Sequence, residues 1–403
     1  MCTKRGYRAL VSVLCLTMAA GCWNRRELND LAISVAIGVD KRGNQILLTD
    51  QIVDPGAVAG KEGGGATFRA PVSLFQEKGR GIQEAARRMT IESTRKIYVG
   101  QLQMLVIGEK LAKEGIGKLL DHISRDHEYR SDFYVIIARR AEAQDILKVF
   151  TALEKTPATK MRASLEVSSK AWGTSAAVKF DEFISNVVSK GKEAAVTGIR
   201  LIGDPKIGND KANVEKILSP ANLHYSGVAV FKKDKMLGWL NEDDSKGYNY
   251  TQGKIKSTVE LVSCPKNKNK ITVEILRNKK TMKAVMEDGK PVIHIRIKTE
   301  GVITDAQCRM DFTKPSSITL VERLTSSHIQ NSVLSAVNTM QNKYKSDIFG
   351  FGEAVERKYP QYWEKVKIDW DKVFPTIRVN IRVESNIQKM FKTTKSLYER
   401  MEG

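Results

Sequence analysis

Cysteine is scarce in this sequence and unevenly distributed. Of five cysteines in 403 residues, Cys2, Cys15 and Cys22 fall within the first 22 positions. Cys264 and Cys308 remain for the rest of the chain, and two cysteines cannot build a disulfide framework for so long a protein. The sequence leaves two alternatives open, a single bridge between Cys264 and Cys308 or two buried free thiols.

Long apolar runs are also missing. After residue 21 no stretch reaches the roughly eighteen apolar residues that a membrane-spanning helix needs. Residues 9–20 form an apolar run of twelve uncharged residues. A helix of that length rises about 18 Å, well short of the roughly 30 Å hydrocarbon core of a bilayer. We therefore expect no membrane span in the chain after residue 21.

Motifs for catalysis and metal binding are absent as well. His122 and His127 do not have the i, i+4 spacing of a helical metal pair, and no cysteine pair has metal-ligand spacing. The glycine-rich stretch 60–68 lacks the Lys-Ser or Lys-Thr of a phosphate loop, and Ser175 lacks the second glycine of a nucleophile elbow. We therefore predict no metal, no cofactor and no catalytic residue. A binding or scaffolding role is favoured over that of a cell-envelope enzyme.

The N-terminal segment has the layout of a secretion signal. Residues 1–8 carry three basic residues and no acid, and the short apolar run follows them. Small residues at positions 19–21 come directly before Cys22. This arrangement resembles the bacterial lipobox, in which the cysteine thiol receives a diacylglycerol and the signal is removed ahead of it, although Ala19 stands where leucine is more frequent. We predict a signal peptide over 1–21 and an acylated Cys22, whose acyl chains provide stable anchoring.

The charge is strongly positive, at +20. Such a balance points to nucleic acid or to an anionic membrane surface. The export signal argues against nucleic acid, so we predict no nucleic-acid partner. The basic runs 232–235, 266–270 and 277–283 are interpreted as turns between strands. Most of the charge is therefore expected on solvated loops, with contact to a membrane surface or an acidic partner as the alternative.

Alternating strand and helix patterns predict a multidomain α+β protein. Residues 22–206 are expected to form a mixed α/β N-terminal region that can divide into two subdomains, with a long strand at 95–110 and a helix at 111–126. Residues 207–221 are interpreted as a linker because turn residues are frequent there. Residues 222–400 are expected to form an α+β domain with an antiparallel sheet and a long helix near 318–346. The buried stripe of that helix consists of Ile329, Val333, Val337, Met340 and Tyr344.

Two segments carry a family resemblance. The first follows Cys22 and runs to residue 41, and the second, which we name the signature segment, spans residues 344–387. Residues 102–116 between them match the same pattern. Both segments resemble the Ger(x)C (GerAC-like) spore germination proteins, and the matches cover essentially the whole chain after the signal. The main residues that carry the resemblance are Trp23, Arg26, Glu27, Leu28, Asp30, Gly38, Val39 and Asp40 in the first segment, and Asp347, Phe349, Gly350, Trp363 and Trp370 in the second. Asn29, Ile348, Gly352, Pro360 and Phe374 match the same pattern, whereas Asn24 stands where the family often has aspartate.

The resemblance implies a non-catalytic, lipid-anchored C subunit of a nutrient germinant receptor. Such a subunit lies on the outer face of the cytoplasmic membrane, in the spore the inner membrane, and acts with an A-type and a B-type membrane subunit. The signature residues are then candidates for interaction, and Cys22 is the lipidation site. An alternative is a solute-binding lipoprotein that delivers a small molecule to a transporter. That class needs a cleft between two similar α/β lobes, which the β-rich second half does not favour.

Overall fold

The chain folds around two β-sheets. The structure is a computed structural model that describes residues 30–59, 70–265, 268–308 and 310–388. The predicted α+β class is confirmed. In chain order the strands are β1 (Leu31–Arg42), β2 (Gln45–Val53), β3 (Val72–Gly79), β4 (Lys96–Tyr98), β5 (Met104–Gly108), β6 (Tyr134–Ala138), β7 (Ala195–Gly203), β8 (Ala221–Lys232), β9 (Lys235–Trp239), β10 (Thr258–Ser263), β11 (Lys270–Glu287), β12 (Lys290–Ala306) and β13 (Arg378–Gln388).

Helices connect these strands and cover the sheets. In the described residues the α-helices are α1 (Pro55–Ala59), α2 (Ile82–Arg88), α3 (Glu109–Glu114), α4 (Gly117–Arg125), α5 (Ala143–Leu147), α6 (Pro157–Ala171), α7 (Phe180–Val188), α8 (Pro205–Gly208), α9 (Ala212–Glu215), α10 (Glu242–Gln252), α11 (Pro315–Asn338), α12 (Phe351–Lys358), α13 (Pro360–Val366) and α14 (Trp370–Val373). Short 3₁₀ turns occupy Met89–Ile91 and Phe374–Thr376, and a π-helix, Thr339–Tyr344, continues α11. Among the helices of the described residues, none combines the length and the hydropathy that a membrane span requires.

The larger sheet has nine strands in the order β3-β2-β1-β5-β6-β7-β8-β9, with β4 paired to the start of β1. The central strands β1, β5, β6 and β7 are parallel, and the strands on both sides of them are antiparallel. A bulge between Ser34 and Ala36 divides β1, so that its first residues pair with β4 and its later residues pair with β5. The N-terminal half of the protein is built around this larger sheet.

Apolar residues cover both faces of the large sheet at its parallel centre, as expected of buried parallel strands. Successive residues of β5 point to opposite faces. Leu105 and Ile107 enter the main hydrophobic core, whereas Met104 and Val106 enter a second cluster under α5 and α6. The main core continues from Ile37 through the second half of the chain, and the two halves therefore share one hydrophobic interior.

The predicted linker at 207–221 connects two neighbouring strands of the large sheet. The short helices α8 and α9 occupy it, and β7 before it pairs with β8 after it. The hairpin formed by β8 and β9 consequently belongs to the N-terminal sheet, although its sequence lies in the predicted C-terminal domain. The large sheet therefore extends across the predicted domain boundary at 207–221. The division of the chain into two domains stays a prediction.

The smaller sheet has the order β10-β11-β12-β13, with the long helix α11 against its inner face. The predicted stripe is confirmed at Ile329, Val333, Val337 and Met340, which are buried, while Tyr344 is partly buried against the same core. The predicted sheet is antiparallel over β10, β11 and β12, and the correction concerns β13, which pairs with β12 in parallel. Cys264 and Cys308 form a disulfide that joins the end of β10 to the end of β12, so the bridged alternative is correct.

Three local predictions need correction. The predicted strand at 95–110 is two strands, β4 and β5, because the chain turns at Gly100. The predicted helix at 111–126 is divided into α3 and α4 at Gly115, whose φ of 129° is unfavourable for any other residue. Residues 277–283, interpreted as a turn, lie in the middle of β11.

Candidate functional site

The predicted site residues fall into two groups. Cys22, Trp23, Arg26, Glu27 and Leu28 lie outside the described residues. Asp30 is exposed and directly precedes β1. All five candidates of the signature segment are described, and the fold brings them together in its interior: Asp347, Phe349, Gly350, Trp363 and Trp370.

Asp347 organises the signature segment. Its side chain is buried, and its Oδ1 accepts backbone N–H groups from Phe349, Gly350 and Phe351 at 2.9 to 3.2 Å. Its Oδ2 accepts the backbone N–H of Gly352 at 2.8 Å and the indole N–H of Trp370 at 3.0 Å. Burial raises the pKa of Asp347 to about 6, while these donors act in the opposite direction. The carboxylate therefore holds the turn that starts α12.

Aromatic side chains surround this carboxylate. Trp363 packs edge to face on Trp370, with ring centroids 5.1 Å apart, and Phe349 stacks on Phe351 at the same separation. Both tryptophans are almost fully buried. Gly350 has a φ of 84°, the left-handed conformation that lets the turn around Asp347 close. These candidates consequently lie in the interior rather than on a free surface.

The signature segment contacts the N-terminal half closely at two glycines. A Cβ on Gly352 would lie 2.5 Å from the Cα of Gly191, and a Cβ on Gly191 would lie 2.7 Å from the backbone nitrogen of Glu353. The backbone of Glu353 donates to the carbonyl of Gly191 at 3.2 Å. The N–H of Glu193 donates to the carbonyl of Asp347 at 2.7 Å, and Ser346 Oγ donates to the carbonyl of Phe231 at 2.6 Å. The segment is therefore attached to β8 and to the residues before β7.

A cleft of about 520 Å³ opens beside this junction. Its walls come from the end of α7 and residues 189–193, from the β8–β9 turn, and from residues 345–347 and 367–371. Trp370 and Asp347 lie at its base. Val188 and Ile368 at its rim are exposed, at 73% and 82%. We name this feature the junction cleft.

Lysines dominate the lining of the junction cleft. Lys232 donates to Asp371 at 2.7 Å, which links β8 to α14 and lowers the pKa of Asp371. Burial raises the pKa of Glu193 to about 7, although the backbone N–H of Lys233 donates to it at 2.6 Å. Three further lysines of the lining, Lys190, Lys233 and Lys345, are exposed and have no side-chain partner in the part of the chain that the structure describes. The arrangement is suited to binding an anionic group.

Sequence reasoning missed most of this cleft. Its lysines come from four separate stretches of the chain, and no short motif joins them. Asp40, noted in the resemblance, accepts the backbone N–H groups of Ala143 and Gln144 at 2.8 and 3.0 Å, and therefore holds the start of α5. Gly191 and Gly352 were not singled out as a pair, since nothing local marks two glycines that meet across the fold.

Comparison with known proteins places this fold in a family. The family described as "Spore germination protein N-terminal domain" matches residues 24–201, and "Spore germination B3/ GerAC like, C-terminal" matches residues 226–390. Spore germination protein KC of Bacillus subtilis (strain 168) is 31% identical over 386 residues, covering 94% of this chain and 95% of that protein. The chain belongs to the Ger(x)C family of spore germination proteins. The family comprises C subunits of spore germination receptors.

Other relatives of the Ger(x)C chain agree. In the same organism, Spore germination protein B3 is 24% identical, covering 92% of this chain and 94% of that protein. Spore germination protein A3 is 22% identical, covering 93% and 95%. A solved structure titled "Crystal Structure of the GerBC protein" covers 87% of the Ger(x)C chain and 96% of its own, at 21% identity and a TM-score of 0.53. That likeness shows a shared fold.

Proposed function

We propose that this chain is the lipid-anchored, non-catalytic C subunit of a nutrient germinant receptor. It is anchored through Cys22 to the outer face of the spore inner membrane and acts with an A-type and a B-type membrane subunit. The observation that carries the proposal is the match to Spore germination protein KC over nearly the full length of both chains. The lipobox-like sequence before Cys22 supports the anchor.

The junction cleft is the surface proposed for the partner subunit. It lies where the signature segment contacts the N-terminal half, and its exposed lysines fit an acidic segment of a partner. Val188 and Ile368 at the rim provide apolar area for the same contact. Partner binding at this place would depend on both halves of the chain, which agrees with matches to two family regions.

Two preparations test the anchor and the partner contact separately. The first compares wild type with Cys22→Ala in membrane and soluble fractions of spores after a high-salt wash, which weakens charge-based contacts, and we expect the variant to leave the membrane fraction. A variant that stays acylated and membrane-bound would contradict the anchor.

The second preparation purifies an affinity-tagged chain from detergent extracts of spore membranes and measures the recovery of the A-type and B-type subunits. Lys190→Glu combined with Lys345→Glu should lower that recovery. Lys206→Glu combined with Lys216→Glu makes the same charge change at exposed positions outside the cleft and should not. Equal recovery with both pairs would contradict a partner contact at the junction cleft.

A further inference from the structure

The outer face of the smaller sheet carries an ordered array of cations. Residues 277–283 lie in β11, where side chains alternate between the two faces. Arg277, Lys279 and Lys283 point away from the core, while Met282 and Ala284 pack toward it. This array is therefore built into a rigid strand and is not a solvated turn.

The strand register places like charges opposite one another. Lys279 of β11 pairs with Lys298 of β12, and Arg296 of β12 pairs with Arg382 of β13. Like charges directly opposite on one face of a sheet are destabilising. The repulsion is least offset where a cation lacks a carboxylate partner, and an anionic surface in front of the sheet would make the arrangement favourable.

Acidic residues offset the array only in part. Glu384 faces three cations, with Arg382 at 2.9 Å, Lys298 at 3.4 Å and Arg296 at 4.0 Å. Lys279 and Lys283 have no ion-pair partner among the described residues. We name this surface the basic face. Its cations are Arg277, Lys279, Lys283, Lys290, Arg296, Lys298, Arg378 and Arg382, and its carboxylates are Glu287, Glu300 and Glu384.

We propose that the basic face lies against the anionic phospholipid headgroups of a bilayer. Each Lys or Arg close to such a surface contributes about 1 kcal/mol of attraction. The inference rests on the proposed function, because a lipid anchor at Cys22 keeps the chain beside a membrane. The face contributes a second attachment that the anchor alone does not provide, and it fixes the orientation of the protein on the bilayer.

The composition of the basic face favours lipid over protein as its occupant. Protein interfaces are enriched in aromatic side chains at their centre and depleted in lysine. The central rows of the basic face contain Lys279, Lys283 and Lys298, and among its outward positions in the described residues there is no Phe, Tyr or Trp. A lysine-rich sheet surface suits headgroup phosphates, which lysine binds as a point charge.

Vesicle binding by the chain from residue 23 onward tests the proposal. This chain lacks Cys22, so acyl groups cannot contribute, and it retains every described element of structure. The probe is phosphatidylcholine vesicles with and without phosphatidylglycerol, measured by flotation at low and high salt. Lys279→Gln, Arg296→Gln and Arg382→Gln together should weaken binding to the anionic vesicles on the order of 100-fold, at about fivefold per cation. Raising the salt concentration should also weaken the binding of wild type to the anionic vesicles.

The matched control is Lys110→Gln, Lys206→Gln and Lys216→Gln, which removes three exposed cations elsewhere. It should bind within about a factor of three of wild type, since those cations lie away from the basic face. Circular dichroism and the urea midpoint of each variant verify that it is folded.

Equal weakening by both triple variants, or no binding of anionic vesicles by wild type, would overturn the proposal. Binding to polyglutamate without binding to anionic vesicles would assign the face to an acidic protein and would also overturn it. Because the assay contains no receptor subunit and no acyl anchor, its failure leaves the proposed function standing.

Discussion

The Asp347 carboxylate accepts the indole N–H of Trp370 at 3.0 Å, across 23 residues of chain. The same carboxylate accepts four backbone N–H groups of its own turn. One buried acid therefore joins the start of α12 to α14 and fixes one wall of the junction cleft. The positions of Asp347, Gly350 and Trp370 in the signature segment are thus explained by what they hold in place, and the exposed lysines around them form the surface that we propose for a partner.

Asp347→Asn should destabilise the protein by about 1 kcal/mol or more at pH 8, where the carboxylate is ionised, because two unsatisfied buried donors cost more than the burial of charge that the substitution removes. An amide nitrogen in place of Oδ2 would face the N–H groups of Gly352 and Trp370, leaving two buried donors without an acceptor. Urea unfolding followed by tryptophan fluorescence measures the change. Asp369→Asn removes an exposed carboxylate from the same segment and should change the free energy of unfolding by less than about 0.5 kcal/mol. Equal effects of the two substitutions would contradict the assigned role of Asp347.

Gly352→Ala should destabilise the contact between the halves by about 2 kcal/mol or more. The added Cβ would lie 2.5 Å from Gly191 Cα and 2.9 Å from the Trp363 ring, and neither the backbone nor a packed indole can move aside freely. The measurement is urea unfolding together with the rate of limited proteolysis near residue 191. Gly81→Ala is the control, since a Cβ there meets nothing within 4 Å. A Gly352→Ala variant as stable as the control would show that the two segments are not in close contact.

Asp50 should give the protein a pH-dependent stability of defined sign. Burial raises the pKa of Asp50 to about 6, even though Ser34 Oγ donates to it at 2.6 Å. The folded state therefore holds its proton more tightly than the unfolded state, whose carboxyl has the ordinary value of 3.8. Stability from this group is fully present below about pH 4 and is lost as the pH rises through about 6.

The substitution Asp50→Asn removes this loss of stability at rising pH. Relative to wild type, the variant should gain about 3 kcal/mol in free energy of unfolding between about pH 4 and pH 7, which is the shift converted at 1.36 kcal/mol per pKa unit. Urea titrations at a series of pH values measure it. Asp132→Asn, at an exposed position, controls for the loss of one carboxylate and should leave the shape of the wild-type profile unchanged. A difference between Asp50→Asn and wild type that does not change with pH would contradict this ionisation behaviour.

The disulfide between Cys264 and Cys308 should stabilise the smaller sheet. It links residues 44 apart, and a closed loop of that length corresponds to ~4 kcal/mol in the chain-entropy description of disulfide stabilisation. The double variant Cys264→Ser, Cys308→Ser should therefore unfold at lower urea, and reductant should shift wild type toward the variant without affecting the variant itself. Reductant that leaves the wild-type midpoint unchanged would contradict the bridge.

Much of this fold follows from local sequence pattern. The buried stripe of α11 was predicted because apolar spacing of three and four is a property of neighbouring residues along the chain. The break at Gly115 was missed because the apolar pattern continues through it. The basic run at 277–283 in β11 was interpreted as a turn because its lysine and arginine content was given more weight than the alternation of its side chains between two faces. The pairing of β7 with β8 and the donors to Asp347 depend on contacts between distant residues, which periodicity does not encode.

The most direct test of the proposed receptor function is dipicolinate release from spores of the organism that carries this chain. The reading frame is deleted and then restored as wild type or Cys22→Ala, in a background that lacks other germinant receptors, and the spores are exposed to amino acids, sugars and nucleosides. We expect that one nutrient response disappears on deletion, returns with the wild-type copy and does not return with Cys22→Ala. A response that survives the deletion would contradict the receptor function, and full restoration by Cys22→Ala would contradict the lipid anchor.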